Sequence, residues 1–262
     1  DAAWPYGSGG ANGYFALIAD NYIRQFGIGR ETFARIATAQ RDNALAYPHA
    51  LMKTPLSVEQ YLSARIIAAP LGLFDCVMPC AGAESFLVMR AERADALGLT
   101  AVRPRAIIER HNAYAQDPVQ FRGGWAYDRD RLWSDAGLSP TDMDFVQTYD
   151  DYPVISLMQL EDLGFFEKGG GADFIAKHDL TCAGSFPHNT SGGQLSVGQA
   201  GAAGGFLGIV EAVRQLTGHT IGAVVADARR ALVSGFGIVN YDRGVCSAAT
   251  VLECVEESRK TT

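Results

Sequence analysis

The sequence predicts an α/β fold with a layered, partly parallel sheet, and three observations carry that reading. Apolar strand patterns alternate with amphipathic helical ones through the carboxyl-terminal part of the chain. Residues 185–208, SFPHNTSGGQLSVGQAGAAGGFLG, set a run of glycines ahead of a helical pattern. Tyr149, Asp150, Asp151 and Tyr152 lead directly from a strand pattern into a helix opened by Pro153. In α/β sheets that strand-to-helix junction is where ligands bind.

With 262 residues the chain is long enough for one large domain or two small ones. Its 48% hydrophobic and 19% charged content is that of an ordinary globular protein. A formal net charge of −7 without a basic run argues against nucleic acid or an anionic membrane surface as partner. No apolar stretch approaches the roughly 20 residues of a membrane span, and no signal peptide is legible. Cys76, Cys80, Cys182, Cys246 and Cys254 are scattered and odd in number, which predicts reduced thiols and a cytoplasmic protein. Cys76 and Cys80 resemble half a zinc site, but no second pair or His cluster follows, so no metal is expected. The chain opens on Asp1, without Met, so its natural amino terminus is expected to lie upstream.

Taken in order, Tyr14, Leu17, Ile18, Tyr22 and Phe26 form one apolar stripe, predicting a core helix over 14–26 closed by Gly27. A second helix is predicted over 31–43. Ser57 and Gln60 have capping-box spacing, which predicts a helix to about Ile67, stopped by Pro70. Residues 71–90 read as loop and strand, ending in the apolar run 85–89, and 91–97 as a short helix closed by Gly98. Composition shifts near Pro104, dividing a helix-rich, irregular region (1–104) from a sheet-bearing one (105–262). There, 105–109 and 145–149 read as strands, and 128–137 and 153–163 as helices, the latter with Pro153 in its first turn. Residues 165–179 read as a Gly-rich excursion.

The glycine run cannot be regular throughout, because each interior glycine adds unfolded-state entropy. It reads as a close-approach loop feeding a helix that starts near Ala202, buries Phe206, Val210, Val213 and Leu216, and stops at Gly218. Such a helix start favours an anion or a developing oxyanion; a purely structural turn fits the glycines equally well. Residues 222–226 and 231–233 read as short buried segments, 235–244 as a polar break, 247–255 as a closing strand, and 256–262 as a polar tail.

Three stretches can therefore carry chemistry: the junction at Tyr149, the glycine loop around Gln199, and the break holding Tyr241, Asp242, Arg243 and Gly244. Each also has a plain reading, as polar residues that cap turns. His188 and Asn189 precede the glycine loop. His188 can act as a base or simply bond the backbone, and Asn189 is expected to pin the loop. His49, within Tyr47-Pro48-His49, can line a substrate mouth but is expected at the surface; His111, His178 and His219 sit in no motif and are expected to be exposed.

The chain resembles the thiolase superfamily, in particular the sterol-carrier-protein-type thiolases and the acyl-CoA aldolases derived from them. The resemblance rests on residues 54–76, Ala81-Gly-Ala-Glu-Ser85, residues 160–169, and residues 189–205. It implies a thiolase-like layered α-β-α-β-α fold whose amino-terminal half is absent from this chain, with 1–104 as the loop domain and 105–262 as the carboxyl-terminal domain. The departures are informative. The family's His-Asp-Cys-Phe element is Tyr149-Asp-Asp-Tyr152 here, and its Gly-His-Pro element is Gly198-Gln199-Ala200. Its carboxyl-terminal Cys loop is residues 239–244 here, and Cys246, beyond that loop, is expected to point into a strand, with a catalytic role as the alternative. The family's nucleophilic Cys belongs to the absent half, so no Cys here takes that role.

Loss of both His sites argues against thiolysis, which needs a base for its thiols and an acid for the carbanion. The resemblance implies instead retro-aldol cleavage of a β-hydroxyacyl-CoA, plausibly a steroid side-chain thioester, to a ketone and a shorter acyl-CoA such as propionyl-CoA. Coenzyme A enters as the substrate thioester, with no bound cofactor. Tyr149 and Tyr241 are the expected acid/base pair. Gln199, His188, Asn189, Gly198 and Gly244 are expected to bind substrate or the oxyanion. The implied partners are a second copy of the chain and an OB-fold protein of the DUF35 class, in a heterotetramer. A 3-ketoacyl-CoA thiolase and a non-catalytic acyl-CoA- or lipid-binding subunit stay open as alternatives.

Overall fold

The computed structural model describes residues 5, 7, 10–240 and 243–255. Two long helices come first, α1 (Ala11–Phe26) and α2 (Arg30–Leu45). Gly27 ends α1 in the left-handed conformation, φ 65°, with its N–H on Ile23 O. The capping box at Ser57 is present and starts α3 (Val58–Ser63). That helix is one turn shorter than its sequence suggests, because Ala64 is already extended and Ile66–Ala68 forms strand β1, paired antiparallel with β2 (Leu71–Gly72). The apolar run at 85–89 is no strand: it has no regular structure, and Leu87 and Val88 are each 85% exposed. Short helix α4 (Ala91–Ala96) follows.

The main sheet has four strands in the order β3-β6-β5-β4. Edge strand β3 (Ala101–His111) pairs antiparallel with β6 (Arg243–Val255), which pairs antiparallel with β5 (Arg230–Asn240). Strand β4 (Phe145–Gln147) lies parallel to β5. The sheet is thus mixed, as the alternation of elements requires. The expected boundary at 104 falls inside β3. The 235–244 stretch is not a break: β5 runs on to Asn240 and β6 starts at Arg243, in continuous register from Arg230↔Glu253 to Asn240↔Arg243. Its glycines and polar side chains disguise an antiparallel pair of strands that follow one another in the sequence.

Helices cover both faces. Ala106, Ile108, Val146, Leu232, Phe236 and Val251 share one core with α1, α2, α5 (Trp125–Ala136) and α6 (Pro153–Asp162). On the other face Phe145, Ala231, Val233 and Leu252 pack against Ala212 and Leu216 of α9 (Leu207–Thr217). Helices α1 and α2 therefore share their core with the sheet. All of α6 is buried, including Ser156, Gln159, Glu161 and Asp162. Such a helix is stable only if every polar group is bonded. Lys168 Nζ pairs with both Glu161 (2.9 Å) and Asp162 (2.7 Å), and Tyr22 donates its hydroxyl to Glu161. The excursion at 165–179 contains a further helix, α7 (Gly171–Lys177), which its glycines conceal.

Candidate active site

The junction after β4 and the glycine loop meet as the sequence suggests. The loop is more structured than a single turn. It forms α8 (Gly193–Val197), then a 3-10 segment (Gly201–Phe206), and only then α9, which begins at Leu207 and not near Ala202. Phe206 is accordingly half-exposed and Leu207 takes the buried place.

Asp150 ties these pieces together. Its two carboxylate oxygens accept the N–H groups of Gln194 (2.9 Å) and Leu195 (3.2 Å), the free amides at the start of α8. Gly193 makes this possible, since it has φ +61° and any Cβ there would stand 2.7 Å from Asp150 Cγ. One turn later the loop delivers Gln199, whose Nε2 donates to Tyr149 Oη at 3.0 Å. Gln199 is itself held by a parallel bridge to Pro79: its N–H donates to Met78 O, and its carbonyl accepts from Cys80. Gly198 turns the chain at φ +113° against Leu51 and Cys80, and its N–H is taken by Gln194 O.

Tyr149 is fixed from behind by Gln159 on α6. The Tyr149 N–H donates to Gln159 Oε1 (3.1 Å), and Gln159 Nε2 donates to the Tyr149 carbonyl (2.6 Å). Ser234 on β5 donates to the same Oε1, locking the amide's orientation. Sequence reasoning missed Gln159. Its only signal was a glutamine ten residues along, on a helix with no solvent face.

The electrostatics favour the protonated phenol. Burial pushes the Tyr149 hydroxyl up to about 12, with the charges of Asp151 and Asp150 adding to it and the Gln199 bond opposing. Because Gln199 is a donor, the Tyr149 proton stays available for another acceptor. Asp150 is pushed up to about 7 by burial, against the pull of the α8 amides. Asp151 rises to about 8, from burial and from Asp150 beside it.

The other candidates fall into place around this pair. His188 is fully buried, and desolvation lowers it to about 3, so it is neutral at ordinary pH. Its Nε2 meets Thr148 Oγ1 at 2.8 Å, and that hydroxyl donates to Ser156. His188 therefore supports the end of β4 from inside. Asn189, at φ 45°, accepts the Thr148 N–H on Oδ1, which pins the loop to β4 as expected. Gly244 sits in the β5–β6 pairing with its N–H on Gln120 Oε1 at 2.8 Å, so that N–H is committed inside the protein. Tyr241 and Asp242 lie outside the described residues. A small polar cavity opens under Tyr149, lined among others by Asp150, Asn189, Ser191, Gln194 and Ser234. Of the remaining histidines, His49, His111 and His219 are exposed as expected, whereas His178 is half-buried against Phe174 and Phe186. Among the described residues no helix is long and apolar enough to cross a membrane.

Comparison with known proteins places the chain in a family. Residues 110–250 match the family described as thiolase C-terminal domain-like. The chain is 31% identical over 249 residues to the 17-hydroxy-3-oxo-4-pregnene-20-carboxyl-CoA lyase of Mycobacterium tuberculosis, covering 90% of this chain and 62% of that protein. It is 32% identical over 233 residues to a steroid side-chain-cleaving aldolase of Thermomonospora curvata, covering 84% of this chain and 58% of that one. Among solved structures, an Ltp2-ChsH2(DUF35) aldolase superposes with a TM-score of 0.81 at 26% identity, over 96% of this chain and 66% of that chain. The chain thus spans roughly three fifths of the curated relatives it matches. With more than half of its length matched, the chain belongs to the thiolase C-terminal domain-like family.

Proposed function

We propose that this chain supplies the acid/base machinery of an acyl-CoA retro-aldolase. Its substrate would be a β-hydroxyacyl-CoA with a bulky, steroid-like acyl group. The observation that carries the reading is the Gln199–Tyr149 contact, formed at the two positions where the thiolases it resembles place histidines. The names of the relatives support the same chemistry.

In this scheme a base removes the proton of the β-hydroxyl. The Cα–Cβ bond breaks, its electron pair passes into the thioester as an enolate, and Cβ leaves as a ketone. Tyr149 then gives its proton to Cα, producing the shorter acyl-CoA, such as propionyl-CoA. No water and no free CoA are consumed. The proton balance closes when the base returns its proton to Tyr149. A phenol held near 12 is suited to donate and poorly suited to abstract. That gives Tyr149 the acid role and leaves the base role to Tyr241. Gln199 orients the Tyr149 oxygen and has no proton to exchange. The active assembly in this reading is a cytoplasmic heterotetramer of two copies of the protein and two of a DUF35-class OB-fold partner.

The test is mass-spectrometric product analysis of the full-length protein with its partner, given a β-hydroxyacyl-CoA and no free CoA. Ketone plus short acyl-CoA is the expected outcome, slowed at least about 10²-fold in Tyr149→Phe. Turnover of a 3-ketoacyl-CoA only after adding CoA would make the protein a thiolase. Ligand binding without any turnover would make it a binding subunit.

A further inference from the structure

Among the described residues strand β3 is an edge of the main sheet, and its alternate residues face opposite ways. Ala106 and Ile108 are buried, whereas Ile107, Glu109 and His111 are exposed on the other side. In the β3–β6 register His111 stands opposite Cys246, and Glu109 stands opposite Ala248 on the same face. Cross-strand neighbours on one face are held within side-chain reach of each other. The result is a group of three different donor side chains on one small patch.

The donor atoms converge. Cys246 Sγ lies 3.7 Å from His111 Nε2, and Glu109 Oε1 lies 2.6 Å from the same nitrogen. All three atoms fall within 4.8 Å of one another. One ring nitrogen carries at most one hydrogen, so it cannot satisfy both neighbours. A cation placed between the three would satisfy all of them. In a tetrahedral zinc site, bonds of about 2.0 Å to nitrogen and 2.3 Å to sulfur put those two ligands about 3.5 Å apart. The Cys246–His111 separation is close to that edge. Glu109 stands nearer to His111 than two ligands of one ion do, but its side chain is 62% exposed and has room to retract.

We propose that Glu109, His111 and Cys246 form a binding site for a single borderline divalent cation, zinc being the best match to a sulfur, nitrogen and oxygen set. The fourth position opens to solvent. The bound ion would clamp edge strand β3 to β6 close to where β6 begins at Arg243. Sequence spacing could not show it, since 135 residues separate His111 from Cys246. The site uses none of the residues assigned to catalysis.

The test uses chelator-treated full-length protein titrated with cobalt(II) as a spectroscopic stand-in for zinc. One equivalent should bind and produce a thiolate-to-cobalt charge-transfer band in the near ultraviolet, displaced by one equivalent of zinc. Cys246→Ser should abolish the band, and a Cys76→Ser, Cys80→Ser double variant should keep it. His111→Ala and Glu109→Gln retain the thiol and should each weaken binding by at least about tenfold. Absence of the band in the unaltered protein, or its persistence in Cys246→Ser, would overturn the proposal.

Discussion

Replacing Gly193 with Ala tests the joint on which the site depends. Two costs arise there, and both can be worked from the geometry. Gly193 sits at φ +61°, where an L residue costs roughly 1–2 kcal/mol. The new Cβ would also stand 2.7 Å from Asp150 Cγ and 3.0 Å from Asn189 Nδ2. Asp150 is buried and cannot simply swing away, because both its oxygens hold α8 amides. Displacing it leaves buried donors unpaired, at about 1–3 kcal/mol. The expected loss is therefore about 2–5 kcal/mol. Two neighbouring glycines separate the contributions. Gly201, at φ +56°, has open space where its Cβ would lie, so Gly201→Ala should show only the conformational cost of about 1–2 kcal/mol. Gly205 has neither a positive φ nor a neighbour, so Gly205→Ala should stay within about 0.5 kcal/mol of the parent. Urea unfolding followed by circular dichroism gives all three values. If Gly193→Ala proved no worse than Gly201→Ala, Asp150 would not be the anchor of this loop.

Tyr149→Phe removes one hydroxyl whose bonded partner is Gln199, so it should cost at most about 1 kcal/mol of stability while slowing cleavage about 10²- to 10⁴-fold in single-turnover assays. Asp151 gives a pH signature. Its folded value of about 8 lies above the unfolded carboxylate value of about 3.9, so the native state holds the extra proton and stability falls as pH rises between the two. Asp151→Asn removes that decline. Its stability relative to the parent should therefore rise by more than about 1.4 kcal/mol from pH 5 to pH 8.5, and a flat or falling difference in denaturant midpoints would contradict the assignment. Lys168→Met strands the buried carboxylates Glu161 and Asp162, which should cost about 3–5 kcal/mol in the same unfolding assay at pH 7.

Local rules were enough for much of the scaffold. The stripe of Tyr14, Ile18, Tyr22 and Phe26 (Leu17, expected in it, is instead 52% exposed), the Ser57 capping box, Pro153 at a helix start, and the left-handed stops at Gly27, Gly137 and Gly218 are short-range features. The chain forms them where they are written. The same reasoning located Tyr149 and Gln199, because a strand end and a glycine loop each announce themselves within a few residues. Tertiary structure decided the rest. Nothing local says that α3 must stop at Ser63 for β1 to pair with β2, or that glycines at 235 and 237 belong to a strand. Those outcomes are set by the pairing of each strand with its neighbour in the sheet. Nor could the sequence show that Gln159 clamps the Tyr149 backbone, that His188 is fully buried, or that the β3–β6 register brings His111 to Cys246. The physical reason is common to all of these. Periodicity and capping act over one or two turns, whereas burial, register and hydrogen-bond partners are fixed only when one segment packs against another.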